Sequence, residues 1–220
     1  MEIVPEIEEG GMLNLAPPGL MDRLWAEGWR HFGSQFFRYS TMLEEDGRLQ
    51  TIQPLRLPLA EFTPSKSQRR ILKRNRDVTI SIMPAVVDEE REALFLKHCE
   101  RFTSNVPESL RNFIPSEVPD RLPCPCVTVE VRLDGKLVAV SYLDVDIDSV
   151  SSVYAVFDPA ESRRGLGILT LLEEIRWARS RGKRWLYPGY ATAGPGIYDY
   201  KKTFRPMQRF DWRGNWHPLE

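Results

Sequence analysis

Two segments of this chain concentrate residue types that can do chemistry. The first, SKSQRRILKRN at positions 65–75, sets Lys66, Arg69, Arg70, Lys73 and Arg74 on one short stretch with no acid among them, and Arg76 extends it. A patch of one sign attracts polyanions by raising the local potential and releasing counterions. Exposed helices that serve only as solvated faces usually mix signs for pairing four residues apart, so the single sign here favours anion binding. The second segment, LYPGYATAGPGIYDYKKTFRP at 186–206, is dense in Tyr, Gly and Lys and supplies Tyr190, Tyr198, Tyr200, Lys201 and Lys202. The functional reading turns on whether the two segments share one cleft.

The rest of the composition narrows the classes. The 220 residues carry a net charge of −1, so the basic run is a local concentration on a balanced protein. Apolar and charged contents of 42% and 28% are those of a globular domain with a real core. No stretch reaches the length of a membrane span. The acidic start, MEIVPEIEEGG, lacks the basic and apolar regions of a secretory signal. Three cysteines are too few for a disulfide framework, which makes a reducing, cytoplasmic setting the expectation. Cys124 and Cys126 have one residue between them, and His31, His98 and His217 are scattered. No metal site is therefore expected, and the thiols read as buried or half-buried.

The elements that must position these groups follow from breakers and periodicity. Residues 1–19 read as a loosely docked lead and MDRLWAEGWRHFG as a short helix limited by Gly28. QFFRYSTML (35–43) reads as a strand. TIQPLRLPL (51–59) reads as another, confined to a sheet edge by Pro54 and Pro58. Ser65 and Gln68 form a capping-box pattern that opens the basic helix. Strand 78–85, helix 88–102 and a short helix at SLRNFI come next. Strands 126–133 and 136–145 flank the turn Asp134-Gly135, and strand 151–159 completes three antiparallel strands. SRRGLG then leads into helix 168–182, with Leu169, Leu172, Ile175 and Ala178 on one face. Strand 185–191, a short helix 197–204 and a last strand or hairpin at 207–216 close the chain. This order is that of the GNAT acyltransferase fold, an α/β (α+β) class with a mixed, mostly antiparallel sheet flanked by helices. The expected organisation is a small N-terminal subdomain, 1–77, carrying the basic helix 65–76, followed by a transferase domain, 78–220.

In such an order the third antiparallel strand and the next strand splay apart, and the helix between them presents its N-terminus to a donor phosphate. Arg163, Arg164, Gly165 and Gly167 stand at that turn. The usual coenzyme A pattern has Arg or Gln where this chain has Ser162.

Taken together and in order, PLRLPL, SKSQRRILKRN, SSVYAVFDP, a Leu-Gly opening a helix with Glu174-Ile175, LYPGY and YKKTFRP resemble the arginyl-tRNA–protein transferase family, which includes the bacterial aspartate/glutamate leucyltransferases. The resemblance runs from about residue 51 to Trp216. It implies transfer of arginine or leucine from a charged tRNA to the N-terminal amine of an acceptor protein or peptide, often one beginning with an acidic residue. The ester is already activated, so no cofactor is needed. Three departures stand out: FFRYSTMLEEDGRLQTIQPLR lacks the cysteine cluster that members usually carry there for a metal or cluster, Tyr198 replaces a usual Met, and Gln208 replaces a usual acid.

Aminolysis of an ester needs an acceptor for the amine proton and a donor for the leaving oxygen. Asp144 and Asp158, near strand ends, are the candidate acceptors, with turn or cap roles as the alternative. Tyr198 or Tyr200 is the candidate donor to the leaving ribose. Lys66, Arg69, Arg70 and Lys73, joined by Lys201 and Lys202, are candidates for tRNA phosphates or an acidic acceptor terminus. Arg56 is a candidate for a carboxylate partner. Tyr154 and Tyr190 are expected to line the pocket with Asp144, or else to pack in the core. Competing readings are an acyl-coenzyme A-dependent N-acetyltransferase and a non-catalytic RNA- or peptide-binding module. The amino acid transferred, the acceptor N-termini and the oligomeric state stay open.

Overall fold

Alternating apolar residues in the C-terminal two thirds of the chain assemble most of one large sheet. A computed structural model describes residues 5–43, 47–102, 106–196 and 198–219. In chain order the elements are β1 (Glu8–Met12), α1 (Leu20–Ala26), β2 (Arg30–Phe32), β3 (Gln35–Tyr39), β4 (Thr41–Leu43), β5 (Leu49–Pro58), α2 (Lys66–Arg74), β6 (Thr79–Pro84) and α3 (Glu89–Cys99). They continue with β7 (Cys126–Leu133), β8 (Lys136–Val145), β9 (Ser149–Phe157), α4 (Leu166–Ser180), β10 (Trp185–Thr192), α5 (Asp199–Lys202), β11 (Gln208–Phe210) and β12 (Trp216–Pro218). The large sheet has the order β12-β11-β5-β10-β9-β8-β7-β6, with β4 pairing β5 beside this path, and β1-β3-β2 form a separate small sheet. The fold is a mixed, mostly antiparallel α/β sheet flanked by helices. No helix among the described residues is long and apolar enough to cross a membrane.

The β7–β8 hairpin turns on Asp134 and Gly135, both at positive φ (49° and 82°), the geometry that matches strand twist in a two-residue loop. β8 is buried along almost its whole length. On it and β9 pack α4, through a cluster that includes Leu171, Leu172 and Ile175, and α3, through Leu94 and Phe95. The Ser65–Gln68 capping box is fully formed at the start of α2.

Three local expectations are corrected. β5 is an interior strand between β10 and β11. Its prolines are tolerated because its second side is served by two short partners, β4 against Thr51–Leu49 and β11 against Leu55–Arg56. Pro54 falls in the gap between those partners and Pro58 beyond them. The short helix in 21–33 ends at Ala26, as the limit set by Gly28 (φ +87°) implies, but residues 30–32 form a strand, β2. The single strand expected over 35–43 is two, β3 and β4, which turn at buried Ser40 into different sheets. Segments on both sides of residue 77 share the large sheet, whereas β1, β2 and β3 stand apart and pack with α1 around Trp25, Phe36 and Tyr187.

Candidate active site

Parallel strands β9 and β10 are hydrogen-bonded over three residue pairs only, Ser149 with Trp185, Val150 with Leu186 and Ser151 with Tyr187. Next on β10 comes Pro188, which has no N–H to continue the ladder. Gly189 follows at φ +96°, where β10 changes register against β5. β9 also shifts register, against β8, just past Ser152. The strands therefore part where proline and glycine stand together, and a crevice opens between them.

Two ionisable groups of opposite type lie beside that parting. Glu174, on the sheet-facing side of α4, is 1% exposed. Its Oε1 accepts a hydrogen bond of 3.3 Å from Ser152 Oγ, and its Oε2 has no hydrogen-bond partner among the described residues. Burial raises this carboxyl to about 7, against smaller opposing pulls from Ser141, Ser152 and Lys201. Lys201, from α5, lies with Nζ against the backbone of Gly189, where a Cβ would come within 3.2 Å of it. The ammonium also sits 4.4 Å from the ring centroid of Tyr198. Burial and the nearby Arg30 guanidinium lower it to about 7, and Glu174 draws it back up. A carboxylic acid and an amine that both titrate near neutrality, each within the other's field, make an acid–base pair suited to proton transfer.

The sequence candidates fall into different surroundings. Tyr200 is beside the pair: it is half-buried, and burial together with Glu174 raises its phenol. Tyr198 touches Lys201 as described. Tyr154 stacks on Phe113 at 3.8 Å, and Tyr190 donates a 2.6 Å hydrogen bond to the Gly28 carbonyl. Both are engaged as walls, and burial raises both phenols. Lys202 turns away to Asp199 (2.7 Å) and the Gly194 carbonyl (3.1 Å). Arg56 is clamped between Trp185 and Trp216, with Nε on Gln208 at 2.7 Å. Asp158 caps the turn before α4 by accepting from Ala160 N at 3.0 Å, and Lys136 Nζ at 2.7 Å holds it ionised. Asp144 accepts from His31 Nε2 at 2.7 Å.

His31, Cys124 and Asp144 are buried, with donor atoms all within 4.8 Å of one another. Burial pushes both the Cys124 and Cys126 thiols well up, so they stay protonated. His31 Nδ1 faces the Gly33 carbonyl at 2.9 Å while Nε2 faces the carboxylate. This buried contact fastens β2 to β8. Asp144→Ala is expected to lower unfolding free energy by about 1–3 kcal/mol, the cost of leaving a buried polar atom of His31 without its partner. Urea denaturation measures it, and a loss under about 0.5 kcal/mol contradicts a fastening role for the contact.

The basic helix meets the turn that opens α4. Arg74 donates to the Arg163 carbonyl and Asn75 Nδ2 to the Arg164 carbonyl at 2.9 Å. Gly165, at φ +69°, packs against Ile71. Arg164 is held bidentate by Asp77 at 2.9 and 3.0 Å and by Glu161 at 2.8 Å. Gly167 lies against Phe157. Lys66, Arg69, Arg70, Lys73 and Arg163 are exposed. Leu72, on the inner side of α2, packs into the same apolar cluster as Tyr200 and Ile175, so the cationic helix and the α4 residue next to Glu174 share one piece of core.

Sequence reasoning did not single out Glu174, the special position of Lys201, or Arg30. Arg30 is 8% exposed, between Tyr187 and Tyr190 with its guanidinium 5.5 Å from each ring centroid.

Comparison with known proteins adds four findings. Residues 89–211 match the family model described as arginine-tRNA-protein transferase, C terminus. The chain is 35% identical over 196 residues to an aspartate/glutamate leucyltransferase of Shewanella putrefaciens, covering 87% of this chain and 79% of that one. It is 31% identical over 215 residues to one of Stenotrophomonas maltophilia, covering 92% and 81%. Among solved structures, L-PGS from Bacillus licheniformis shares the fold, with a TM-score of 0.51 at 14% identity over 73% of this chain and 59% of that one.

Proposed function

Because this chain belongs to the arginine-tRNA-protein transferase family and is an aminoacyltransferase, we propose that it moves leucine from leucyl-tRNA to the α-amine of a protein beginning with aspartate or glutamate. The names of its relatives support that choice of donor and acceptor. The observation that carries the mechanism is the Glu174–Lys201 pair at the parting of β9 and β10.

The acceptor α-amine titrates near pH 8 and must lose a proton before it attacks. That first proton goes to solvent, and Glu174 Oε2, ionised and unpartnered, accepts the second from the nitrogen as it attacks. The nitrogen bonds to the ester carbonyl carbon, and the Lys201 ammonium stabilises the oxygen that becomes negative. As the carbon–oxygen bond to the tRNA ribose breaks, Lys201 gives its proton to the ribose oxygen. Transfer of the proton from Glu174 to Lys201 restores both groups. Tyr198 and Tyr200 line the leaving-group side. No cofactor enters the balance, and the cytoplasm, where charged tRNA is found, is the setting.

The exposed face of α2 and Arg163 receive the tRNA backbone in this reading. Arg69→Ala with Arg70→Ala is expected to reduce the slope of log affinity against log salt by about 2, one for each phosphate no longer neutralised. Filter binding of leucyl-tRNA at several salt concentrations measures it, and an unchanged slope removes α2 from the interface. A coenzyme A donor is disfavoured because α2 packs on the turn before α4 where its pyrophosphate would lie. The deciding experiment mixes the protein with leucyl- or arginyl-tRNA and peptides of varied N-terminus. Mass spectrometry should find a leucyl residue added to Asp- and Glu-initiated peptides. Addition of arginine, or of nothing, contradicts the proposal.

A further inference from the structure

Arg30 is a buried cation whose hydrogen bonding is half finished. Nη1 donates to the Trp29 carbonyl at 2.8 Å, which fixes the plane of the group. Nε and Nη2 are buried and have no hydrogen-bond partner among the described residues. These two nitrogens form one edge of the guanidinium, with parallel N–H groups spaced to fit the two oxygens of a carboxylate. The flanking Tyr187 and Tyr190 belong to β10, on either side of the Pro188-Gly189 break, so the guanidinium sits beside the point where β9 and β10 part. Leaving charged donors buried and unpaired is unfavourable, and such strain persists where a ligand relieves it.

We propose that the Nε/Nη2 edge of Arg30 is the receptor for the side-chain carboxylate of the acceptor's N-terminal aspartate or glutamate. The inference rests on the transfer reaction given above and names the group that reads its acceptor. Arg30 lies close enough to Lys201 to depress its ammonium. An N-terminal residue with its amine at Glu174 and Lys201 therefore has its side chain, a few bonds away, within reach of Arg30. The discrimination follows from satisfaction: aspartate fills both donors with charge, whereas asparagine offers one neutral oxygen and turns an amide N–H toward a cation. Arg56, which sequence alone marks for a carboxylate, has no comparable vacancy, since its Nε is on Gln208 and its faces are covered by tryptophans.

The test separates recognition from chemistry. Peptides identical except for N-terminal Asp or Asn are titrated calorimetrically into the intact protein without tRNA. Wild type should bind the Asp peptide about 100-fold more tightly, the scale of a buried bidentate pair. Arg30→Gln and Arg30→Lys should each reduce that ratio to about tenfold or less. Thermal melting serves as the second measurement: with its donors unpaired, Arg30→Gln should melt no lower than wild type in the absence of peptide. Equal binding of the two peptides by wild type, or an undiminished ratio in both variants, overturns the proposal. So does a ratio left intact while leucyl-tRNA binding falls, which would assign Arg30 to a phosphate. If the Asp peptide binds through Arg30 but gains no residue from leucyl-tRNA, the carboxylate site stands and the transfer reading fails.

Discussion

Glu174→Gln is expected to reduce kcat about 10²–10⁴-fold, the usual contribution of a positioned general base, and to remove the ascending limb of the pH–rate profile. The wild-type limb should rise through about pH 7, because burial holds the carboxyl there and only the ionised form accepts the amine proton. An amide keeps the shape and the Ser152 contact but cannot take a proton. A structural role would show the opposite pattern in stability. The folded-state value is raised from an ordinary 4.5 to about 7, so the folded form holds this proton more tightly. Its stability contribution is fully present below pH 4.5 and is lost as pH rises through 7. Above that range the buried charge destabilises the fold by about 3 kcal/mol. Glu174→Gln should therefore melt higher than wild type at pH 8 and equally at pH 4, while losing activity at pH 8. A variant that melts lower at pH 8, with rates within threefold of wild type, assigns Glu174 to packing.

Much of this fold was legible because local signals agreed with one another. The Asp134-Gly135 turn, the Ser65–Gln68 capping box and the apolar stripe of α4 each forecast the element that forms. β5 defeated the proline rule because its outer neighbours are two short strands, a feature no local pattern contains. The site was partly legible. The basic run and the Tyr-Lys segment were visible as composition, and they do share a cluster of core residues through Leu72 and Tyr200. Asp144 and Asp158 drew notice as acids at strand ends, but their partners, His31 at a separation of 113 residues and Lys136 across a hairpin, could not be read from spacing. Glu174 did leave a trace. It sits four residues before Ala178 and next to Ile175, among the buried residues of α4, and an acid in that place asks for a reason. Arg30 left none, because its unpaired edge exists only in three dimensions.

Lys201→Met is expected to lower kcat/KM about 10²–10³-fold and to abolish the descending limb of the same profile. The limb falls through about pH 7 in wild type because desolvation pulls the ammonium down from 10.5, and the charged form is the one that stabilises the oxyanion and protonates the ribose. Lys201→Arg sharpens the test. A guanidinium stays charged throughout, so it should restore part of the substrate affinity and flatten the descending limb, yet it cannot release the proton and kcat should stay low. The two groups are also coupled, which gives a result that neither alone predicts. Glu174 raises Lys201 and Lys201 lowers Glu174. Removing the carboxylate should move the remaining descending limb to lower pH, and removing the ammonium should move the ascending limb to higher pH. The double variant Glu174→Gln with Lys201→Met should be barely slower than either single one, since each proton step is idle without the other. Multiplicative losses, or limbs that stay in place when the partner is removed, show two independent residues and break the proton circuit between α4 and α5.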